Sequence, residues 1–218
     1  MSQTPDVFDA IARGGVVPVV TIDAVDAVLP LADVLAESGL PLVEITFRSP
    51  TAAAAIQTLR SKRPEMLVGA GTVVTADNLR AAIDAGAQFG VAPGLNPQIV
   101  DAAARAGLPF VPGICTPSEI ERALALGCDF LKFFPSEPIG GPRTIQAMTA
   151  PYAHLKLRLM PSGGVTLDNM AAYLQTEMVV AVGATTIAKQ SDLAAGNWPE
   201  IRLRCQRAVR IVAECRGN

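Results

Sequence analysis

Residues 67–94 read LVGAGTVVTADNLRAAIDAGAQFGVAPG. The stretch opens on an apolar run, Leu67–Val73, and passes Thr75-Ala76-Asp77 into an amphipathic, Ala-rich segment. It stops at Gly86 and enters a second apolar run, Phe89–Pro93. Thr75 has the chemistry of a helix N-cap with an acidic residue in the first turn. Gly86 accepts the left-handed conformation that ends a helix and turns the chain back. Strand, helix and strand in this order form one parallel unit.

The unit repeats in both directions. Apolar runs occur at Val16–Ile22, Leu42–Phe47, Leu67–Val73, Phe89–Pro93, Pro109–Ile114, Phe130–Pro135, Leu155–Met160 and Met178–Val182, each followed by a helical pattern. Gly39, Gly107 and Gly127 punctuate other helix ends, and Ser49 or Thr51, Thr116-Pro117-Ser118-Glu119 and Thr166 mark other helix starts. Eight even units predict a single-domain (β/α)8 TIM barrel over residues 1–218. An extra N-terminal helix is expected around Asp6–Arg13 and a long final helix after Trp198. A doubly wound open sheet is the structural rival, and the even count of units disfavours it.

Composition bounds the function. The 218 residues are 50% hydrophobic, enough to fill both a barrel interior and the layer beneath the helices. With 18 Lys+Arg against 20 Asp+Glu the net charge is −2. No basic stripe with interleaved aromatics suggests nucleic acid as a partner. Met1-Ser-Gln-Thr-Pro-Asp6 lacks the features of a signal peptide, and the longest apolar stretches fall short of the ~18 residues of a spanning helix. Cys115, Cys128, Cys205 and Cys215 show no CxxC pairing and read as reduced thiols of a cytoplasmic protein. The single histidine, His154, excludes a His-rich metal site, so neither metal nor cofactor is expected.

In such a barrel the C-terminal strand ends carry function. The second run reads Val43-Glu44-Ile45-Thr46-Phe47-Arg48, and alternation puts Glu44, Thr46 and Arg48 on one face. The apolar set must meet the helices, so the polar set points inward. The sixth run, Phe130-Leu131-Lys132-Phe133-Phe134-Pro135, holds a lone cation. Runs two and six lie opposite one another in an eight-stranded barrel, so Lys132 and Glu44 converge near the axis. They form either a structural ion pair or a nucleophilic lysine whose pKa is depressed by apolar walls. Spacing alone leaves both open. Near the same rim lie Gly69-Ala70-Gly71-Thr72, Ala92-Pro93-Gly94 and Pro112-Gly113. Runs seven and eight lead into Ser162-Gly163-Gly164 and Gly183-Ala184-Thr185, the usual place for a phosphate cradle in this fold. Lys189 reads as a solvated charge. Trp198 with Ile201, Ala208, Ile211 and Val212 reads as a helix stripe packed on the barrel.

Glu44-Ile-Thr-Phe-Arg48, Gly69-Ala-Gly-Thr72, Pro93-Gly94, Lys132-Phe-Phe-Pro135 and Ser162-Gly-Gly164, in this order, resemble the bacterial 2-keto-3-deoxy-6-phosphogluconate (KDPG) aldolase family, which overlaps with 4-hydroxy-2-oxoglutarate aldolases. The likeness spans about Val16 to Ala188. It implies a Schiff base on Lys132 and proton transfer by Glu44. It implies that Arg48 and Thr72 hold the pyruvyl carboxylate and that Pro93 and Phe134 wall the pyruvyl pocket. Ser162 joins the substrate contacts, and Gly163, Gly164, Gly183, Ala184 and Thr185 receive the phosphate. The implied partner is a small phosphorylated keto acid, and the expected assembly is a homotrimer, which the final-helix stripe does not itself require. Gluconate-type members commonly carry threonine at the Ser162 position and serine at the Thr185 position; both exchanges keep a hydroxyl. Galactonate-type members carry an apolar residue where Ser162 stands, so the likeness leans toward gluconate, as does Phe133-Phe134. Two rivals remain: a phosphosugar isomerase or synthase using the same cradle without covalent chemistry, and a catalytically silent binding barrel.

Overall fold

The computed structural model describes residues 7–217. The segment read for signal features, and Asp6 of the expected first helix, lie outside the described residues. Each apolar run contributes a strand: β1 (Val16–Val20), β2 (Leu42–Thr46), β3 (Leu67–Gly71), β4 (Phe89–Val91), β5 (Phe110–Val111), β6 (Gly113–Ile114), β7 (Phe130–Phe133), β8 (Arg158–Pro161) and β9 (Val182–Ala184). The fifth run yields two segments because Pro112 has no N–H to give to a ladder. The eighth forms its strand later than expected, and Val179 makes only an isolated bridge to Leu159.

The helices are α1 (Val7–Gly14), α2 (Val28–Glu37), α3 (Ala52–Lys62), α4 (Ala76–Asp84), α5 (Pro97–Arg105), α6 (Pro117–Ala125), α7 (Gly141–Thr149), α8 (Met170–Leu174), α9 (Gln190–Ala195) and α10 (Trp198–Arg216). Gly86 has φ 82, and Gly39, Gly107 and Gly127 behave alike. The hydroxyls of Thr75 and Thr116 accept from the N–H groups of Asn78 and Glu119, as helix caps should. Two expected starts differ. The hydroxyls of Ser49 and Thr51 donate to the Ile22 carbonyl instead of capping α3. Thr166 opens a turn, where its hydroxyl accepts the Asp168 N–H and its own N–H donates to the Asn169 side chain, and α8 begins only at Met170.

All strand pairs are parallel. A six-stranded sheet, ordered β5-β4-β3-β2-β1-β9, curls into a half-barrel. A second sheet, β6-β7-β8, continues from it through Pro112. Isolated bridges, Leu159 to Val179 and Ser162 to Gly183, join the far edge of this small sheet to the β9 segment.

Alternation sorts the strand side chains as anticipated. Val43, Ile45, Val68 and Ala70 pack with the helices in the main core. Val17, Leu42, Phe89, Val91, Val111, Phe130 and Met160 fill the opposite face, which Ile11 of α1 closes near the N-terminal strand ends. Phe8 stacks at 5.0 Å on Phe130, and the Arg158 guanidinium lies 5.4 Å from both rings. The final helix buries Ile201, Cys205, Ala208 and Val212; of the expected stripe Ile211 is only half-buried, and Cys205 is buried in addition. Among the described residues no helix is long and apolar enough to cross a membrane.

Candidate active site

β2 and β7 belong to different sheets, and their inner faces bring Glu44 and Lys132 together. The ammonium nitrogen lies 3.8 Å from Oε1 of Glu44, with side-chain exposures of 8% and 0%. Among the described residues neither carboxylate oxygen has a hydrogen-bond partner. Lys132 is also 5.4 Å from the centre of the Phe134 ring. Burial of two charges in such thin company is costly unless the ion pair, or a molecule placed beside it, compensates.

The Glu44 carboxylate has room because it reaches along β3 to Gly71, the ladder partner of Thr46, which carries no side chain. A Cβ on Gly71 would lie 2.1 Å from Oε1. Gly69 does the same for Phe89, whose ring would meet an added Cβ at 2.2 Å. Neither glycine has a positive φ, so of the two uses the sequence suggests for them, tight turns and close packing, the second applies.

The other expected site residues gather at the C-terminal strand ends. Thr46 is buried and shares a 2.9 Å hydrogen bond with Thr21, a partner sequence reasoning missed. Arg48 is exposed in the turn after β2, and its Nε donates to the Thr46 hydroxyl at 3.1 Å. Thr72 follows β3 directly with φ 58. A β-branched residue held there is strained, at a cost of about 1–3 kcal/mol, and such outliers mark functional positions. Pro93 follows β4, with its carbonyl close against Gly113. Phe134 follows β7 and is half-buried.

Ser162 follows β8; among the described residues its buried hydroxyl has no hydrogen-bond partner, and it faces Gly183, where a Cβ would stand 2.1 Å away. Gly163 and Gly164 have φ 87 and φ 86 and open the chain at the rim. Gly183 and Ala184 differ from expectation: both are buried within β9, paired with Val17 and Pro18, and the chain leaves the sheet only at the exposed Thr185. Lys189 is exposed. A cavity of about 620 Å³ over Cys115, Arg143 and Met148 holds none of these residues. Among the described residues no three His, Cys, Asp or Glu side chains cluster as a metal site.

The family model for KDPG and KHG aldolase matches residues 7–204. The chain belongs to that family. Membership of an aldolase family makes it a carbon–carbon lyase. It is 41% identical over 209 residues to the 2-dehydro-3-deoxy-phosphogluconate aldolase of Haemophilus influenzae, covering 96% of this chain and 98% of that protein. It is 34% identical to the KHG/KDPG aldolase of Escherichia coli, covering 91% and 92%. Among solved structures it superposes with a TM-score of 0.88 on the KDPG aldolase of Legionella pneumophila, at 30% identity, covering 93% of this chain and 98% of that one. That relative holds pyruvate as a covalent carbinolamine intermediate.

Proposed function

We propose that the chain cleaves 2-keto-3-deoxy-6-phosphogluconate to pyruvate and glyceraldehyde 3-phosphate through a Schiff base on Lys132. The unphosphorylated 4-hydroxy-2-oxoglutarate, giving pyruvate and glyoxylate, is the second substrate in this reading. The observation that carries it is the isolated, buried approach of Lys132 to Glu44.

The neutral amine of Lys132 adds to the C2 ketone, and Glu44 carries the protons needed to expel water from the carbinolamine. The protonated imine accepts the electron pair of the C3–C4 bond as Glu44, directly or through water, takes the C4 hydroxyl proton. Glyceraldehyde 3-phosphate leaves, the enamine is protonated at C3, and hydrolysis frees pyruvate and the amine. Arg48 and Thr72 hold the pyruvyl carboxylate, the guanidinium by charge-assisted hydrogen bonds. Pro93 and Phe134 wall the pyruvyl group, and Ser162 offers its unpartnered hydroxyl to substrate. Gly164 and Thr185, both exposed, and the half-buried Gly163 form the outer part of the phosphate cradle, with Gly183 and Ala184 behind them in β9.

The same reading takes residues 1–218 as one catalytic domain on a closed (β/α)8 barrel. Its support is the circuit of parallel pairs, continuous through Pro112 and linked at β8 and β9 by bridges. It also takes the enzyme as a cytoplasmic homotrimer, to be checked by sedimentation; the exposed Val74 beside Leu95 and Ile99 gives such an assembly an apolar contact.

Borohydride reduction with pyruvate present, followed by peptide mapping, tests the chemistry. The expected result is one pyruvyl adduct on the peptide carrying Lys132. No adduct, with a phosphosugar isomerised and no pyruvate released, would replace this reading by the non-covalent isomerase.

A further inference from the structure

Behind the Gly163–Gly164 turn lies a polar cluster that the reaction itself does not use, rooted in the buried Ser136 and Tyr173 and reaching the surface at Glu137. Glu137 stands in the segment between β7 and α7. Its Oε2 accepts from the Tyr173 hydroxyl at 2.5 Å and from Nδ2 of Asn169 at 3.3 Å. Tyr173 in turn accepts from the Ser136 hydroxyl at 3.1 Å and is fully buried. The same Asn169 amide donates to the Gly164 carbonyl at 3.0 Å, while its oxygen accepts the Thr166 N–H at 2.8 Å.

The main chain repeats the connection. The N–H of Glu137 donates to the Gly163 carbonyl at 2.9 Å, and that of Ser136 to the Ser162 carbonyl at 2.8 Å. Packing closes the joint: a Cβ on Gly164 would stand 2.4 Å from Cβ of Glu137. On Gly141 it would stand 2.9 Å from the Tyr173 hydroxyl.

Two adjacent glycines form the least restricted backbone a loop can have. Anion recognition by N–H groups demands the opposite, donors fixed before the ligand arrives. Glu137 meets that demand: it is engaged by two donors and braces the turn through main chain, side chain and volume. We propose that Glu137, held by Tyr173 and Asn169, is a positioning residue that fixes the Gly163–Gly164 turn in the conformation that receives the substrate phosphate. The inference rests on the phosphate cradle proposed above. Burial and the Glu137 carboxylate push the Tyr173 hydroxyl up to about 12, so it remains a donor throughout the neutral range.

The test compares wild type with Tyr173→Phe, Glu137→Ala and Glu137→Gln. The readouts are kcat and KM for 2-keto-3-deoxy-6-phosphogluconate and for 4-hydroxy-2-oxoglutarate, competitive inhibition by inorganic phosphate, and borohydride trapping of pyruvate. Tyr173→Phe and Glu137→Ala should lower kcat/KM for the phosphorylated substrate about tenfold, mainly through KM, the scale of one lost charge-assisted hydrogen bond. Inhibition by inorganic phosphate should weaken in proportion, while pyruvate trapping and the unphosphorylated substrate change by less than about twofold. Glu137→Gln keeps an acceptor for Tyr173 and should recover most of the loss. Equal losses on both substrates, no loss in Tyr173→Phe, or Glu137→Gln as impaired as Glu137→Ala would overturn the positioning role. A wild-type enzyme that traps no pyruvate overturns the Schiff-base reading, and one indifferent to phosphate removes the cradle and this inference with it; both are read before any variant is made.

Discussion

The inner face of the strands has two ends of opposite character. Near the N-terminal strand ends Leu42, Phe89, Val111 and Phe130 interlock under α1 with no buried charge among them. One alternation step further along, Glu44 and Lys132 occupy the same face with an ion pair and little else. The two ends share strands, burial and alternation, so neither periodicity nor accessibility separates them. Polar satisfaction does: side chains at the first end find what they need within the protein, whereas at the second Glu44 and Ser162 leave buried oxygens open. That is the division expected between a rim that stabilises and a rim that reacts.

The contrast is broken most directly at Lys132. Lys132→Ala should abolish pyruvate trapping and lower cleavage on the order of 10⁴-fold or more, as removal of a covalent nucleophile does. Circular dichroism should still report a folded chain; a reducible adduct in this variant would move the nucleophile elsewhere. Glu44→Gln keeps the shape fitted over Gly71 and removes the proton carrier. Turnover should fall by ~10²–10⁴-fold while slow imine formation survives. Wild-type turnover in that variant would make Glu44 a structural counter-ion.

At the other end the effect should change kind. Phe89→Ala empties a packed site against Gly69 and should cost about 3–5 kcal/mol in denaturant unfolding. The kcat/KM of the folded fraction should stay at wild type, and a parallel loss of activity would erase the distinction between the ends. The smallest effect sits outside both. A hydrogen bond from Arg204 holds the Asp192 carboxyl below its ordinary range. A depressed carboxylate contributes stability that is complete above the unfolded value of about 3.9 and is lost as pH falls toward the folded one. Asp192→Asn should therefore lower stability at neutral pH by no more than about 1 kcal/mol, seen as a slightly lower Tm, with the difference closing below about pH 4. A gap that persists in acid would assign the effect to packing.

Much of this was legible in the sequence because it depends on period and on single residues. Glu44 and Lys132 stand out as charges inside apolar runs, and strand alternation suffices to face them inward. Gly86 and Thr75 mark helix ends by their own chemistry. Which side chain Gly71 makes room for was not legible, since it depends on what reaches it from the neighbouring strand. Nor was the Glu137–Asn169–Tyr173 cluster, whose members become neighbours only when two loops and a helix meet. Its one local trace is Glu137 itself, an acid close after the lysine strand. Gly163 was legible as a rim residue, but its second neighbour was not. A Cβ there would meet the Phe134 ring at 3.0 Å, so bulk at Gly163 disturbs the proposed pyruvyl wall as well as the cradle. For that reason Glu137 and Tyr173 are the cleaner handles on phosphate recognition.

The interruption at Pro112 has a consequence for motion. Lys132 belongs to the three-stranded sheet and Glu44 to the six-stranded one. At Pro112 the chain itself and the bonds from Gly113 N–H to Gly94 and from Lys132 N–H to Pro112 join the sheets, and only sparse bridges join them at their other edge. Regions with few ladder hydrogen bonds are where subglobal opening begins, and the units on either side exchange their amide hydrogens as blocks. The reactive pair therefore spans two blocks, each able to hold its own hydrogen bonds while the other loosens. Amide exchange at Val180 and Ser162 should run ahead of exchange in β2 and β3. The distance from amine to carboxylate then reports, on the timescale of that opening, whether the blocks are docked.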